Sequence, residues 1–347
     1  MKKNIVTRIA ASLAFLTILS GILYISFYVL KIKNEDGVTP MQDLYAQKRN
    51  TCDVLMLGSS HAGTNLSPET LWEEYGISSY CLWGSMQPLW NSYYFLEEAL
   101  KTQKPKVVVL EALSVSYALE YQDLARQETN TVGMRFSPTK VKAVMASAPP
   151  DRWLDILLEF PLYHNRIEEL SRDDFQHFPW TPGRINYKGN MTLQGTDGLA
   201  VFQEQLPDIT TSLYPKQEEY LRKIIELCQQ EGIELMFIKT PFPAKPQDLE
   251  KFWGPFNQMK KIGEENGVPF LDCNRMIDEM GILPEDVSSD GSHLNQSGAQ
   301  KTSKALGAYL KEHYDLPDHR GDPRYDSWNA AVEKQKERLS DDLSEEN

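Results

Sequence analysis

Five short apolar runs punctuate the chain after residue 50, and each is bounded on at least one side by a glycine or a proline. They are DVLML (53–57), ISSYCLW (77–83), KVVVLEA (106–112), IELMFIK (233–239) and VPFLDC (268–273). Near-continuous apolar runs of this length are typical of parallel strands that are buried on both faces. The pattern therefore predicts a parallel sheet of about five strands.

Helical patterns lie between these runs. Ser67 followed by Pro68 is a capping residue with a first-turn proline, which favours a helix start. Residues 215–231 place Tyr220, Leu221, Ile224, Ile225 and Cys228 on one face, and Gly232 ends the helix. Residues 91–103 and 297–314 are also predicted to be helical. Strands that alternate with helices indicate an α/β fold of three layers, with a doubly wound parallel sheet in the middle.

The spacing of the runs predicts how the chain is divided. About 120 residues separate the third strand from the fourth, which is too long for a bare loop in a compact domain. We interpret most of this segment as a helical insertion that covers the strand ends. The predicted organisation is an N-terminal anchor (1–33), a linker (34–51), an α/β domain (52–313) with the insertion at about 113–214, and a polar acidic tail (314–347).

The N-terminal segment predicts the compartment. Residues 9–30 contain no charge over 22 positions, and a helix needs roughly 20 apolar residues to cross a bilayer. No A-x-A-like cleavage site follows, so we expect an uncleaved, single-pass anchor in the cell membrane. Three basic residues among the first eight favour an N-terminus inside and an extracytoplasmic main domain, although two lysines also follow the apolar segment.

Charge and composition exclude several function classes. The formal net charge of -13 argues against a nucleic-acid partner. The four cysteines show no C-x-x-C spacing, so neither a zinc ribbon nor a redox pair is predicted. Cys81 and Cys273 fall in strand-like runs and are expected to be buried free thiols. No H-E-x-x-H motif or nucleotide-binding glycine motif occurs, so no metal site and no cofactor is predicted.

Two short motifs carry candidate chemistry. Gly58-Ser59-Ser60 ends the first strand, at the edge of the sheet where ligands bind in such folds. Asp290 and His293 form a D-x-x-H motif just before the last helix. Taken alone, the first motif could be a phosphate loop or a turn, and the second could cap the helix. Together they fit a serine nucleophile, a histidine base and a carboxylate that orients the base.

This order of motifs resembles the SGNH (GDSL-like) hydrolases, over roughly residues 52–312. The family's first block is a strand followed by Gly-Asp-Ser, and here Ser60 takes the place of the nucleophile with Ser59 in place of the aspartate. The glycine of the second block is matched by Gly84 in CLWGS, and the last block by Asp290 and His293. The resemblance implies an SGNH/flavodoxin-like sheet, a catalytic triad, and an oxyanion hole that includes the N–H groups of Ser60 and Gly84.

The family's third block, Gly-x-Asn-Asp, is not found after the third strand. The sequence there is LEALSVSYA, which has Glu111 but no asparagine. Losing one oxyanion donor typically costs about two to three orders of magnitude in rate. Gln87 and Asn91 are candidate substitutes, although the pattern favours a solvated-loop or helix-cap role for each of them.

The anchor and the altered blocks make the chain similar to the membrane-anchored SGNH-like proteins of bacterial envelopes. These include the D-alanine transfer protein of teichoic-acid modification and the alginate and peptidoglycan O-acetyltransferases. The resemblance implies a serine esterase or O-acyltransferase that acts on a cell-envelope glycan or another acylated surface polymer, together with a membrane-bound O-acyltransferase. The alternative is a non-catalytic glycan-binding or scaffold module. The missing third block favours the alternative, and the intact Ser, His and Asp favour the enzyme.

A second set of residues is predicted to contact the substrate, although no family motif includes most of them. His61 adjoins the predicted nucleophile, and His164 and Arg166 lie in the insertion. For each of them, packing or local structure is the alternative interpretation. The candidates for substrate contact are Ser59, His61, Asn91, His164 and Arg166.

Overall fold

The structure, a computed structural model, contains the predicted five-stranded parallel sheet. It describes residues 2–31, 36–171, 174–175 and 187–345, without the side chains of 2–4, 160, 161, 164 and 338–345. The strand order is β2-β1-β3-β4-β5. All four strand pairs are parallel. The strands are β1 (Val54–Gly58), β2 (Ser79–Trp83), β3 (Val107–Glu111), β4 (Glu234–Lys239) and β5 (Phe270–Asp272).

Helices cover both faces of the sheet, as the α/β pattern predicts. Side chains alternate along β1, so Leu55 and Leu57 enter one apolar core while Val54 and Met56 enter the other. The helices are α1 (Lys2–Leu30), α2 (Val38–Ala46), α3 (Ser60–Asn65), α4 (Pro68–Tyr75), α5 (Leu89–Ala99), α6 (Leu124–Val132), α7 (Pro138–Ser147), α8 (Trp153–Leu158), α9 (Phe160–Tyr163), α10 (Pro215–Glu231), α11 (Leu249–Glu265), α12 (Ile277–Met280), α13 (Gln296–His313) and α14 (Asp326–Glu345).

The described chain divides into two compact units. One comprises Met1–Lys33 and Asp151–Arg184, and the other comprises Asn34–Pro150 and Ile185–Asn347. In the first unit, Arg166 donates a hydrogen bond of 2.6 Å to the Leu30 carbonyl at the end of α1. Lys31 forms an ion pair of 2.9 Å with Glu159. The sheet lies entirely in the second unit.

Within the described residues, one helix is long and apolar enough to cross a bilayer. It is the segment Ile5–Leu30 of α1, with a mean hydropathy of 2.2. Its large apolar side chains are exposed over most of this length, among them Phe15, Ile18 and Ile22. Such an exposed apolar surface is suited to a membrane. The helix is therefore a candidate transmembrane segment.

Two segments that the sequence assigns to a linker and a polar tail pack against the sheet core. Helix α2 buries Met41 and Leu44 in the core formed with α5 and α10. Near the C-terminus, Trp328 of α14 is fully buried and donates a hydrogen bond of 3.1 Å to the Ser79 carbonyl on β2. A few large apolar residues are enough to pack these two helices against the core. The polar composition of the two segments as a whole gave no sign of this packing.

Candidate active site

Ser60 follows a tight bend at the carboxyl end of β1. Gly58 ends the strand with φ of 155°, Ser59 precedes the helix, and Ser60 is the first residue of α3. A Cβ on Gly58 would lie 2.9 Å from Cβ of Glu111 on β3. Only glycine combines this backbone angle with so close an approach. The bend therefore places the Ser60 hydroxyl at the carboxyl edge of the sheet.

A second glycine brings α3 onto the sheet. A Cβ on Gly63 would lie 2.1 Å from the indole of Trp83, the last residue of β2. The helix thus packs its backbone against an aromatic ring, and the Trp83 Nε1–H donates 2.6 Å to the Gly189 carbonyl. The small residues around Ser60 serve this close packing.

The structure brings the predicted serine, histidine and aspartate together in one hydrogen-bonded chain. Ser60 Oγ lies 2.7 Å from His293 Nε2. His293 Nδ1 lies 2.7 Å from Asp290 Oδ2. An ionised carboxylate can only accept, so Nδ1–H donates to Asp290 and Nε2 accepts from the serine hydroxyl. The two ends of the imidazole therefore face a serine hydroxyl and a carboxylate, which is the arrangement of a serine nucleophile, its base and the orienting carboxylate in known triads.

Hydrogen bonds keep Asp290 ionised. Burial acts to raise its pKa, but the backbone N–H groups of His293 and Ser292, together with the His293 side chain, lower the pKa to about 2. The other carboxylate oxygen, Oδ1, accepts those two N–H groups at 3.0 and 2.8 Å. The side chains of Asp290 and His293 are 44% and 21% exposed, so one side of this chain faces solvent.

Asn65, the last residue of α3, connects the two motifs. Its Oδ1 accepts the N–H of Leu294 at 2.9 Å, immediately after His293. Its Nδ2 donates 3.0 Å to Thr240 Oγ1, just beyond the end of β4. One buried amide therefore fixes the distance between the helix that carries Ser60 and the loop that carries His293.

The two backbone N–H groups assigned to the oxyanion hole lie at adjacent strand ends. Gly58 pairs with Trp83 across β1 and β2, so the residues that follow them, Ser59 and Gly84, emerge side by side. Within the described part of the chain, no backbone carbonyl accepts the N–H of Ser60 or of Gly84. Ser60 is partly exposed and Gly84 is buried, and the role of these two N–H groups as oxyanion donors stays a prediction.

Gln87 and Asn91, the candidate substitutes for the missing donor, use their amide protons within the protein. Asn91 is fully buried, and its Nδ2 donates to the Asn130 carbonyl and to Ser147 Oγ at 2.9 and 3.0 Å. Gln87 Nε2 donates to Ser92 Oγ at 3.0 Å. Neither amide is arranged to donate to a substrate.

A buried ion pair joins the carboxyl ends of β3 and β4. Glu111, the last residue of β3, and Lys239, the last residue of β4, are 0% exposed. Lys239 Nζ lies 2.7 Å from Glu111 Oε1 and 3.4 Å from His61 Nδ1. Burial, the charge of Lys239 and the proximity of His293 lower the pKa of His61 well below its usual range.

The remaining candidates for substrate contact are distributed between the two units. The Ser59 side chain is fully buried. Burial raises the pKa of Tyr117, which lies beside it. His61 is 2% exposed. In the other unit, Arg166 also binds Asp174 at 3.2 Å, and the side chain of His164 lies outside the described residues.

The sequence analysis missed Lys239, Thr240 and Asn65 as parts of this site. A lysine at the end of a buried apolar strand was the available signal, because a charge rarely follows such a run without a buried partner. The sequence pattern gave no sign that its partner is Glu111, which lies in the segment where Gly-x-Asn-Asp is not found. Within the described ranges, no group of three or more His, Cys, Asp or Glu side chains is arranged to hold a metal ion.

Comparisons with known proteins give only distant structural likenesses. No family profile and no curated protein sequence matches the chain. Among solved structures, the chain is similar to a Bacteroides fragilis protein described as a "putative acylhydrolase", with 12% sequence identity and a TM-score of 0.40. The match covers 81% of this chain and 99% of that one. The chain thus has a distant structural neighbour that is described as an acylhydrolase.

Proposed function

We propose that the chain is a membrane-anchored, extracytoplasmic serine esterase or O-acyltransferase that acts on a cell-envelope glycan. The observation that carries the proposal is the chain of two 2.7 Å hydrogen bonds from Ser60 through His293 to Asp290. A serine hydroxyl is a weak nucleophile unless a base takes its proton. Here the base, its tautomer and its carboxylate partner are already arranged for that transfer.

In the proposed first half-reaction, Ser60 Oγ attacks the carbonyl carbon of an ester. His293 Nε2 takes the hydroxyl proton as the new C–O bond forms, and Asp290 stabilises the imidazolium. The Ser60 and Gly84 N–H groups stabilise the negatively charged oxygen of the tetrahedral intermediate. The intermediate then collapses, the leaving alcohol takes the proton from His293, and the acyl group stays on Ser60.

In the second half-reaction, a hydroxyl attacks the acyl-serine while His293 takes its proton; the bond between Ser60 Oγ and the acyl carbon then breaks, and His293 returns the proton to Ser60 Oγ. Water gives a carboxylic acid, whereas a glycan hydroxyl gives a new ester. With no asparagine donor after β3, stabilisation of the intermediate on a small ester is weak. A large acceptor can compensate by positioning, an effect that reaches about 7 to 11 kcal/mol in well-oriented systems. We therefore propose transfer to a glycan, with a membrane-bound O-acyltransferase supplying the acyl group.

Labelling with a fluorophosphonate tests the nucleophile. The full chain in detergent should be labelled at Ser60, and Ser60→Ala and His293→Ala should each abolish labelling while the melting temperature stays near that of the unsubstituted chain. Ser59→Ala is the matched control, because it removes the adjacent hydroxyl and should leave the label at Ser60. A label that persists in both Ser60→Ala and His293→Ala would exclude the assignment.

The acceptor is tested by the decay of an acyl-enzyme. After reaction with p-nitrophenyl acetate, intact-mass spectrometry should find an acetyl group on Ser60 that wall oligosaccharides remove faster than water does. Fast hydrolysis that oligosaccharides do not change would indicate a plain esterase. A chain that neither takes the fluorophosphonate label nor forms an acyl-enzyme would instead be a non-catalytic glycan-binding or scaffold module.

A further inference from the structure

Three buried polar side chains beside the proposed triad have no part in the reaction described above. Glu111 and Lys239 are each at the carboxyl end of a strand, and their side chains are separated by 2.7 Å. The Lys239 ammonium also lies 3.4 Å from Nδ1 of His61, the residue after the proposed nucleophile. All three are at least 98% buried.

Stability alone is a poor explanation for this arrangement. A buried ion pair costs several kcal/mol of desolvation per ion, and well-packed apolar residues in its place are often neutral or stabilising. Glu111 is further fixed by the Leu113 N–H, which donates 2.9 Å to Oε2. The pair lies at the sheet edge that carries Ser60, where a fixed charge can orient a neighbouring side chain.

The neighbour that Lys239 orients is His61. An ammonium group can only donate, so Nδ1 of His61 accepts and the proton of this ring is on Nε2. The low pKa of His61 keeps the ring neutral. The ring of Phe242 packs against it with centroids 5.4 Å apart. The imidazole of His61 is thus fixed in tautomer, charge and direction.

The fixed ring packs directly against the proposed base. The centroids of the His61 and His293 rings are 4.8 Å apart at an interplanar angle of 62°, an edge-to-face contact. The polar contacts of the His293 ring are with Ser60 at Nε2 and with Asp290 and Ser292 Oγ (3.1 Å) at Nδ1. They hold its two nitrogens but leave rotation about the line between them. Asp290 is 44% exposed, so the solvent side offers little restraint on that rotation.

We propose, on the basis of the function proposed above, that His61 is a positioning residue that holds the imidazole of His293 in line with Ser60. Lys239, neutralised by Glu111, holds His61 in turn. A neutral ring is needed at this position, because a second imidazolium beside His293 would oppose the charge that His293 gains when it takes the serine proton.

The test is the kinetics of fluorophosphonate labelling of the full chain, resolved into the maximal rate kinact and the half-saturating concentration KI. His61→Ala should lower kinact by about 10- to 100-fold, since a misplacement of about 1 Å can cost about 100-fold, and should leave KI unchanged. His61→Phe restores a neutral ring without Nδ1 and should recover most of kinact. A residue needed only for folding would not lower kinact while leaving KI unchanged.

A double-mutant cycle tests the part played by Lys239. Lys239→Met should lower kinact when His61 is present but have no further effect in the His61→Phe background, because the bond it removes is already absent there. If Lys239→Met fails to fold with Glu111 unpaired, the cycle uses Glu111→Gln/Lys239→Met instead, which leaves no buried charge. His319→Ala is the matched control, because it removes a partly buried histidine paired at 2.7 Å with Asp53 outside the site.

Three results would overturn the inference. They are an unchanged kinact in His61→Ala, a His61→Phe variant as slow as His61→Ala, and a loss from Lys239→Met that is equal in both backgrounds. The failure of the proposed function would be distinct: the unsubstituted chain would then take no label at Ser60, and the inference would fall with it.

Discussion

The residues around Ser60 show why this strand ends in small side chains. Gly58 allows β3 to approach, and Gly63 allows α3 to lie on Trp83. The sequence analysis placed Gly58, Ser59 and Ser60 at the edge of the sheet where ligands bind. In the structure, Glu111 fills the space beside Gly58 and the Trp83 indole fills the space beside Gly63. Ser60 itself is partly exposed.

Asp290 provides the test at the scale of one residue. Asp290→Asn keeps the shape of the side chain but removes the charge that holds the tautomer of His293. We expect the labelling rate at Ser60 to fall by about 10⁴-fold, the size of the effect known for the equivalent change in a serine protease. The measurement is the pseudo-first-order rate of fluorophosphonate labelling at pH 7.

Asp318→Asn is the matched control for this change. Burial and hydrogen bonds act on Asp318 much as they do on Asp290: the Arg320 side chain, opposed by burial, lowers its pKa to about 2, and its side chain is also 44% exposed. It lies beside Gly76, before β2 begins. Equal rates for the two variants would show that Asp290 has no special relation to His293.

At the scale of elements, α3 and the D-x-x-H loop are joined by Asn65. Asn65→Ala would leave the Leu294 N–H without its acceptor in a buried position, which costs about 1 to 3 kcal/mol. We expect a lower melting temperature and a slower labelling of Ser60, because the loop that carries His293 loses its fixed distance from α3. Both quantities are measured on the same preparation in detergent.

The control for Asn65 is Asn266→Ala. Asn266 follows the last residue of α11, its Nδ2 donates 2.7 Å to the Ile262 carbonyl of that helix, and the residue is exposed. This variant should melt and label like the unsubstituted chain. An Asn65→Ala variant that melts lower but labels at the full rate would separate folding from positioning and contradict the expectation.

Glu69, in the first turn of α4, gives a pH-dependent prediction. Burial raises its pKa from 4.5 to about 7, and the hydrogen bonds that its own backbone N–H and the Ser67 hydroxyl donate to the carboxylate offset this only in part. Between these values the folded state binds more protons than the unfolded chain, so this group makes stability fall as pH rises. Glu69→Gln should remove that contribution. The melting temperature of the variant, minus that of the unsubstituted chain, should therefore increase as the pH is raised from 4.5 to 7. A difference in melting temperature that stays constant from pH 4.5 to 7 would contradict this prediction.

At the scale of the whole molecule, α1 sets the proposed location. An apolar helix of 26 residues with exposed side chains needs a bilayer or another cover. The basic N-terminus favours residues 40–347 outside the cytoplasm. Protease added to intact cells should therefore digest most of the chain. Full protection until the cells are lysed would show the opposite orientation.

The sequence determined the fold class of this protein. Five apolar runs became five parallel strands because strands buried on both faces must be apolar at nearly every position. The four cysteines are buried free thiols, as expected for Cys81 and Cys273. The order of the motifs, together with the resemblance that it carries, also singled out Ser60, Asp290 and His293, because ligands bind at the edge of such a sheet where the strands end.

Only the tertiary structure decided which other side chains meet at that edge. The contact between His61 and His293, the pairing of Glu111 with Lys239 and the connection made by Asn65 join residues far apart in the chain. The cores that bury Trp328 and α2 are also non-local. Periodicity reports which face of an element is apolar, whereas a buried polar network depends on which elements are neighbours, and the strand order fixes that.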